Sequence, residues 1–160
     1  MREFVSTNVL WFAPIFSFIV AQLMKYVVYA IQYKVLRRER LTGAGGMPSS
    51  HSSGVVTLMV VMGITQGTHS AAFAVSVIFG LVVMYDAAGV RRAAGLHAKV
   101  INVLKKSIDD MEQGDRDLKD NNYNPVDMPN KDLKEFVGHT PLEVVCGAIV
   151  GAVIGILFVV

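Results

Sequence analysis

The sequence predicts an all-α integral membrane protein, a helical bundle of about four transmembrane helices plus an amphipathic surface helix. Three observations predict it. Hydrophobic residues make up 52% of the 160 residues and the mean hydropathy is +0.45, a balance unsuited to a soluble globule of this size. Four apolar runs, at about 9–31, 50–67, 70–88 and 141–160, reach or approach the roughly 20 residues that cross a hydrocarbon core. Lys and Arg gather almost entirely in the segments 32–49 and 89–140, which the positive-inside tendency places together on the cytoplasmic side. A single membrane domain over 1–160 follows, with 89–140 as its polar cytoplasmic segment and both termini on the opposite face.

The first run is apolar apart from Ser17, Gln22 and Lys25. Gln22 and Lys25 lie three apart and share a helix face. A charge at that depth costs about 2.5–3.5 kcal/mol on insertion scales, so Lys25 either snorkels to the interface or faces an anion. The run is longer than the apolar part of a signal peptide and no small-x-small pattern follows it, which disfavours cleavage. Lys34, Arg37, Arg38 and Arg40 come next, a juxtamembrane anchor attracted to anionic lipid. The second run is short and spans only if its helix begins near Ser50 and tilts little. Gly67-Thr68-His69-Ser70 then forms a tight turn into the third, with His69 a polar loop residue.

Beyond residue 88 the character turns polar. Leu96, Val100, Val103, Leu104 and Ile108 recur at helical spacing with Lys99, Lys105 and Lys106 on other faces, predicting an amphipathic helix on the membrane surface. A charged loop over 109–135 follows. Its Asp115, Asp117 and Asp120 lack the glycine and terminal glutamate of a calcium loop and read as solvated charge, so no metal is expected. In the last run Gly147, Gly151 and Gly155 recur every four residues, a face that admits another helix backbone and that favours a homodimer. The single cysteine, Cys146, excludes an internal disulfide.

The functional residues are polar groups at the cytoplasmic ends of these runs. They are Lys25, then Ser49, Ser50 and His51, then Asp86 with Arg91 and Arg92, then His139 and Glu143. Polar groups at one depth in neighbouring helices mark a site, because hydrocarbon penalises them unless they face one another or water. The chemistry implied is anion handling. Helix starts at Ser50 and Thr140 aim free N–H groups at one level, and Arg91, Arg92 and Lys25 add charges suited to phosphate oxygens. Of two histidines, one attacks phosphorus and the other protonates the leaving oxygen, with a carboxylate fixing the nucleophile's tautomer. Plainer roles exist for each. Ser49 and Ser50 could only cap a helix, Arg91 and Arg92 only anchor topology. Glu143 in Thr140-Pro141-Leu142-Glu143 could complete a capping box instead of meeting His139.

Pro48-Ser49-Ser50-His51 and Gly138-His139-Thr140-Pro141-Leu142-Glu143 resemble motifs of the type 2 phosphatidic acid phosphatases and vanadium-dependent haloperoxidases. That pattern has Pro-Ser-Gly-His, then Ser-Arg, five residues, His, three residues and Asp. With Asp86 to Arg92 added, the chain is more similar to a divergent branch of small membrane proteins related to both. The resemblance implies a phosphatidic acid phosphatase-like helical core without a cofactor. It makes His139 the nucleophile that forms a phosphohistidine, Glu143 its orienting acid, His51 the general acid and Ser50 a donor to phosphate. Two departures stand out: Glu143 replaces the aspartate, and Leu133 occupies the place of the arginine that holds phosphate, leaving Arg91 or Arg92 to substitute. Arg91 and His97 mimic the Arg-x5-His spacing, but Ile101 stands where the acid belongs.

The expected activity is removal of phosphate from a lipid phosphate or diphosphate by a metal-independent phosphatase on the cytoplasmic face of the plasma (inner) membrane. The alternative is a non-catalytic binder or carrier of lipid phosphate. No nucleic-acid partner is expected.

Overall fold

The computed structural model describes residues 2–34, 45–114, 133 and 137–160. Over them the chain forms five helices: α1 Arg2–Tyr33, α2 Ser50–Gln66, α3 Ala71–Ala88, α4 Val90–Gly114 and α5 Pro141–Val159. No strand occurs among the described residues. Arg37, Arg38 and Arg40 of the basic run, and the acidic Asp115, Asp117 and Asp120, lie outside them.

Three stretches are long and apolar enough to cross a membrane: Asn8–Gln32, Ala71–Ile108 and Pro141–Val159. The second run of the sequence becomes α2, whose 17 residues at 1.5 Å each give a rod of about 25 Å. It is the central helix, packed against α1, α3 and α5. Its first turns are buried among the other helices, at Ser50, Ser52, Ser53 and Thr57, whereas its far end from Ile64 to Gln66 is exposed.

Burial runs opposite to that of a water-soluble protein. Large apolar side chains face outward, among them Trp11, Ile15 and Leu23 of α1, Ile78, Phe79 and Val82 of α3, and Val145, Ile149 and Val153 of α5. The interior holds small and hydroxyl-bearing residues, including Ala13, Ser17, Ala21, Ser53, Thr57 and Ser76. In water so much apolar surface would drive aggregation. In hydrocarbon it is the stable arrangement, since helices there associate through close backbone packing and interhelical hydrogen bonds. Both are visible at α2. Ser17 Oγ and Ser53 Oγ lie 2.6 Å apart, joining α1 to α2. Thr57 Oγ1 shares its proton between Ser53 O at 2.9 Å and Gly151 O at 2.8 Å, joining α2 to α5.

The glycine stripe of α5 lies on this interface. A Cβ at Gly147 would collide with Ser49 O, one at Gly151 with Ser53 O, and one at Gly155 would press on Val60. The glycines read as support for a homodimer are therefore spent within the chain, where α2 fills the face they open.

At Gly89 the chain breaks between α3 and α4. Among the described helices, α4 touches only α3. It is amphipathic as the spacing predicts, and Leu96, Val100, Val103 and Leu104 are exposed along it. Where the family pattern has its arginine, Leu133 instead exchanges two backbone bonds with the Asn102 side chain of α4, each 2.9 Å.

Candidate functional site

The start of α2, the α3–α4 junction and the start of α5 converge at one end of the bundle, and backbone atoms hold them there. Ser49 N donates to Glu143 O at 3.0 Å, and His139 N donates to Ala87 O at 2.9 Å. Gly138 makes the second link possible. Its φ of +91° is a conformation side chains disfavour, and a Cβ there would run into the Arg91–Arg92 backbone. His51 therefore rides on a helix start tied to α5, and His139 on a turn tied to α3.

His139 is 3% exposed. Its Nδ1 lies 3.1 Å from Glu143 Oε2, and the same oxygen accepts from Thr140 N at 3.0 Å. Glu143 N in turn donates to Thr140 Oγ1 at 3.4 Å. The two readings of Glu143 are thus both realised, with a capping-box carboxylate that also orients the imidazole. A carboxylate at Nδ1 selects the tautomer whose proton sits on Nδ1. Nε2 then carries the lone pair, and it is buried without a hydrogen-bond partner among the described residues. Burial first, and the Lys25 ammonium next, push the His139 pKa below its ordinary value, against the upward pull of Glu143. The ring is neutral at neutral pH.

His51 faces His139 with ring centroids 6.4 Å apart, and Phe18 meets the His51 ring edge-on at 5.5 Å. The two histidines line a cavity of about 110 Å³ together with Val83, Asp86, Ala87, Arg91 and Gly138. At its rim Arg91 Nε donates to Asp86 Oδ2 at 2.6 Å. This contact spans the α3–α4 break and occupies one edge of the guanidinium, leaving the two terminal nitrogens to a ligand. Both partners are part-exposed, 48% and 37% for the side chains. The pair is therefore worth at most about 1 kcal/mol to folding, and its place at the cavity matters more than its strength.

Lys25 does not snorkel. It is 3% exposed, its stem packs beneath Gly46, and Nζ donates to Gln22 Oε1 at 3.2 Å. It lies outside the cavity lining but near enough to both histidines for its charge to act on them. The remaining sequence candidates divide from the cavity. Ser49 is spent as the N-cap of α2, accepting from Ser52 N at 3.3 Å, which is the plainer role the sequence allowed. Ser50 is buried at the same helix start, and neither serine lines the cavity. Arg92 is exposed on α4 outside the lining, so of the two candidate arginines only Arg91 reaches the site. His97 is exposed on α4 and His69 in the α2–α3 turn. Phe18 and Ala87 were not legible as site residues. Both are apolar, and Ala87 contributes only a carbonyl.

Fold and site together define an all-α membrane protein with a buried histidine–carboxylate pair facing a second histidine across a cavity with a cationic rim. The chain belongs to the Divergent PAP2 family, whose model matches residues 5–154. It is 38% identical over 145 residues to an uncharacterized membrane protein, YuiD, of Bacillus subtilis (strain 168), covering 91% of this chain and 90% of that one. No solved structure matches it significantly.

Proposed function

We propose that the protein is a lipid phosphate phosphatase acting through a phosphohistidine intermediate, with its site at the cytoplasmic face of the membrane. The observation that carries this reading is His139, whose Nε2 is buried and unpartnered while Nδ1 is held by Glu143. A buried polar atom without a partner is costly, and nucleophiles are among the few groups for which that cost has a use.

In this mechanism the His139 Nε2 lone pair attacks phosphorus and the bond from phosphorus to the lipid oxygen breaks. Protonated His51 delivers its proton to the leaving oxygen. Glu143 stabilises the charge that His139 acquires. Water then attacks the phosphohistidine, giving its proton to His51, and inorganic phosphate leaves with Nε2 restored. A nucleophile needs roughly 3–3.5 Å to the reacting atom and an acid about 2.6–3.2 Å to its target. Rings 6.4 Å apart bracket one phosphoryl group on that scale. Arg91, held through Nε by Asp86, presents its terminal nitrogens to phosphate oxygens, and Lys25 supplies a second positive charge from below.

A second reading is favoured by Leu133, which stands where the family pattern has its phosphate-holding arginine. It is a binder or carrier that holds lipid phosphate and does not turn it over. Phosphate release from a panel of lipid phosphates and diphosphates by purified protein separates the two, with His139→Ala and His51→Ala alongside. The phosphatase reading requires release by wild type and its loss in both variants. Equal release by wild type and His139→Ala overturns the mechanism. Saturable tungstate binding without release by wild type favours the carrier.

A further inference from the structure

The surface least explained by the site is the outer face of α4. Leu96, Val100, Val103, Leu104 and Met111 fall at i, i+4, i+7, i+8 and i+15, so they lie along one side of the helix. All five are more than half exposed. The chain packs against the other side, where Ala98 is buried and Asn102 binds Leu133. Beside the apolar strip runs a row of cations. Arg92, Lys99 and Lys106 are seven residues apart, a spacing that drifts only about 20° around a helix per step, so they form one line. At 1.5 Å per residue that line is roughly 21 Å long. All three are exposed, with no ion pair among the described residues.

We propose that this face of α4 is a docking surface for an anionic membrane leaflet, with the apolar strip sunk between acyl chains and the Arg92–Lys99–Lys106 row held at the headgroups. The charge selects the occupant. A strip flanked by three exposed cations suits negatively charged lipid, whereas an apolar strip alone would accept any bilayer or a second copy of the chain. Position agrees, because α4 begins directly after the lipid-facing helix α3, whose Ile78, Phe79 and Val82 are exposed, and among the described helices it packs on no other. The row starts beside Arg91, so the same contact would hold the cavity rim at headgroup depth and gather anionic lipid next to it.

The test uses full-length protein in nanodiscs of phosphatidylcholine with and without phosphatidylglycerol. Cys146→Ala with Leu104→Cys provides one thiol for an environment-sensitive fluorophore. The expected result is a blue-shifted emission, quenched by spin-labelled lipid, that is several-fold stronger with phosphatidylglycerol. Lys99→Gln with Lys106→Gln should return it to the phosphatidylcholine level, and Lys99→Arg with Lys106→Arg should preserve it. Equal burial of the label in both lipids overturns charge selection. A water-exposed label in both overturns docking. Shielding of the label, accompanied by disulfide cross-linking between copies of the unlabelled Leu104→Cys protein under an added oxidant, overturns lipid docking and assigns the face to a second chain. None of these readouts depends on turnover, so the outcome stands apart from that of the phosphatase assay.

Discussion

Replacing Glu143 with glutamine separates the two tasks that one oxygen performs. Glutamine also serves in a capping box, so it can keep the bond from Thr140 N and with it most of what the cap contributes, about 0.5–2 kcal/mol. It cannot keep the negative charge beside His139 Nδ1. A charge-assisted hydrogen bond is roughly twice as strong as a neutral one. In the proposed mechanism the charge matters most when His139 carries the phosphoryl group, so the loss falls on the transition state. Preorganised electrostatic stabilisation of this kind is worth about 10²–10³ in rate, or roughly 2.7–4.1 kcal/mol at 1.36 per factor of ten. Glu143→Gln should therefore lower kcat by that factor while the thermal midpoint in detergent stays near wild type, and Glu143→Ala should lower both. The assay is phosphate release from a lipid phosphate in mixed micelles, paired with thermal unfolding. If Glu143→Gln turned over at the wild-type rate, Glu143 would be a helix cap and nothing more, and the tautomer argument for His139 would fail with it.

Other outcomes follow from the same geometry. In the proposed mechanism His139 must be neutral to attack and His51 protonated to serve the leaving oxygen, so kcat/KM should be bell-shaped in pH; its acid limb follows the His139 pKa, which burial and Lys25 hold below the ordinary value. Lys25→Met removes a lowering influence and should move that acid limb to higher pH, whereas Glu143→Gln should move it lower. Arg91→Gln should raise KM by about 10–100-fold, the value of one charged hydrogen bond of roughly 1.5–3 kcal/mol, with little change in stability; an unchanged KM would remove Arg91 from the site. Gly151→Val drives a side chain into the Ser53 carbonyl and should cost about 1–3 kcal/mol or abolish folding, read as a lowered thermal midpoint.

The elements of the fold were legible because hydrocarbon imposes lengths and apolar runs that a sequence displays directly, from the first helix to the last. The depth ordering was not. Ser17 reads as a polar interruption of an apolar run, yet with Ser53 and Thr57 it forms the interior, since only three-dimensional packing decides which side of a membrane helix meets protein. The glycines of α5 showed that a helix would approach closely but not which one. In the site, His51, His139 and Glu143 were legible from type and spacing, and Arg91 and Arg92 were indistinguishable until the cavity chose between them. The fate of Lys25 needed the structure as well, because snorkelling and burial place the same residue at the same point in the sequence.

Two ties described above bracket the polar connection into α5. Asn102 grips the backbone of Leu133, and Ala87 O fixes His139 N. Both ties engage main-chain atoms on the far side, so neither depends on which side chains precede them. A change of side chain at Leu133 therefore leaves His139 in register as long as Asn102 is kept, because the tie reads the main chain alone.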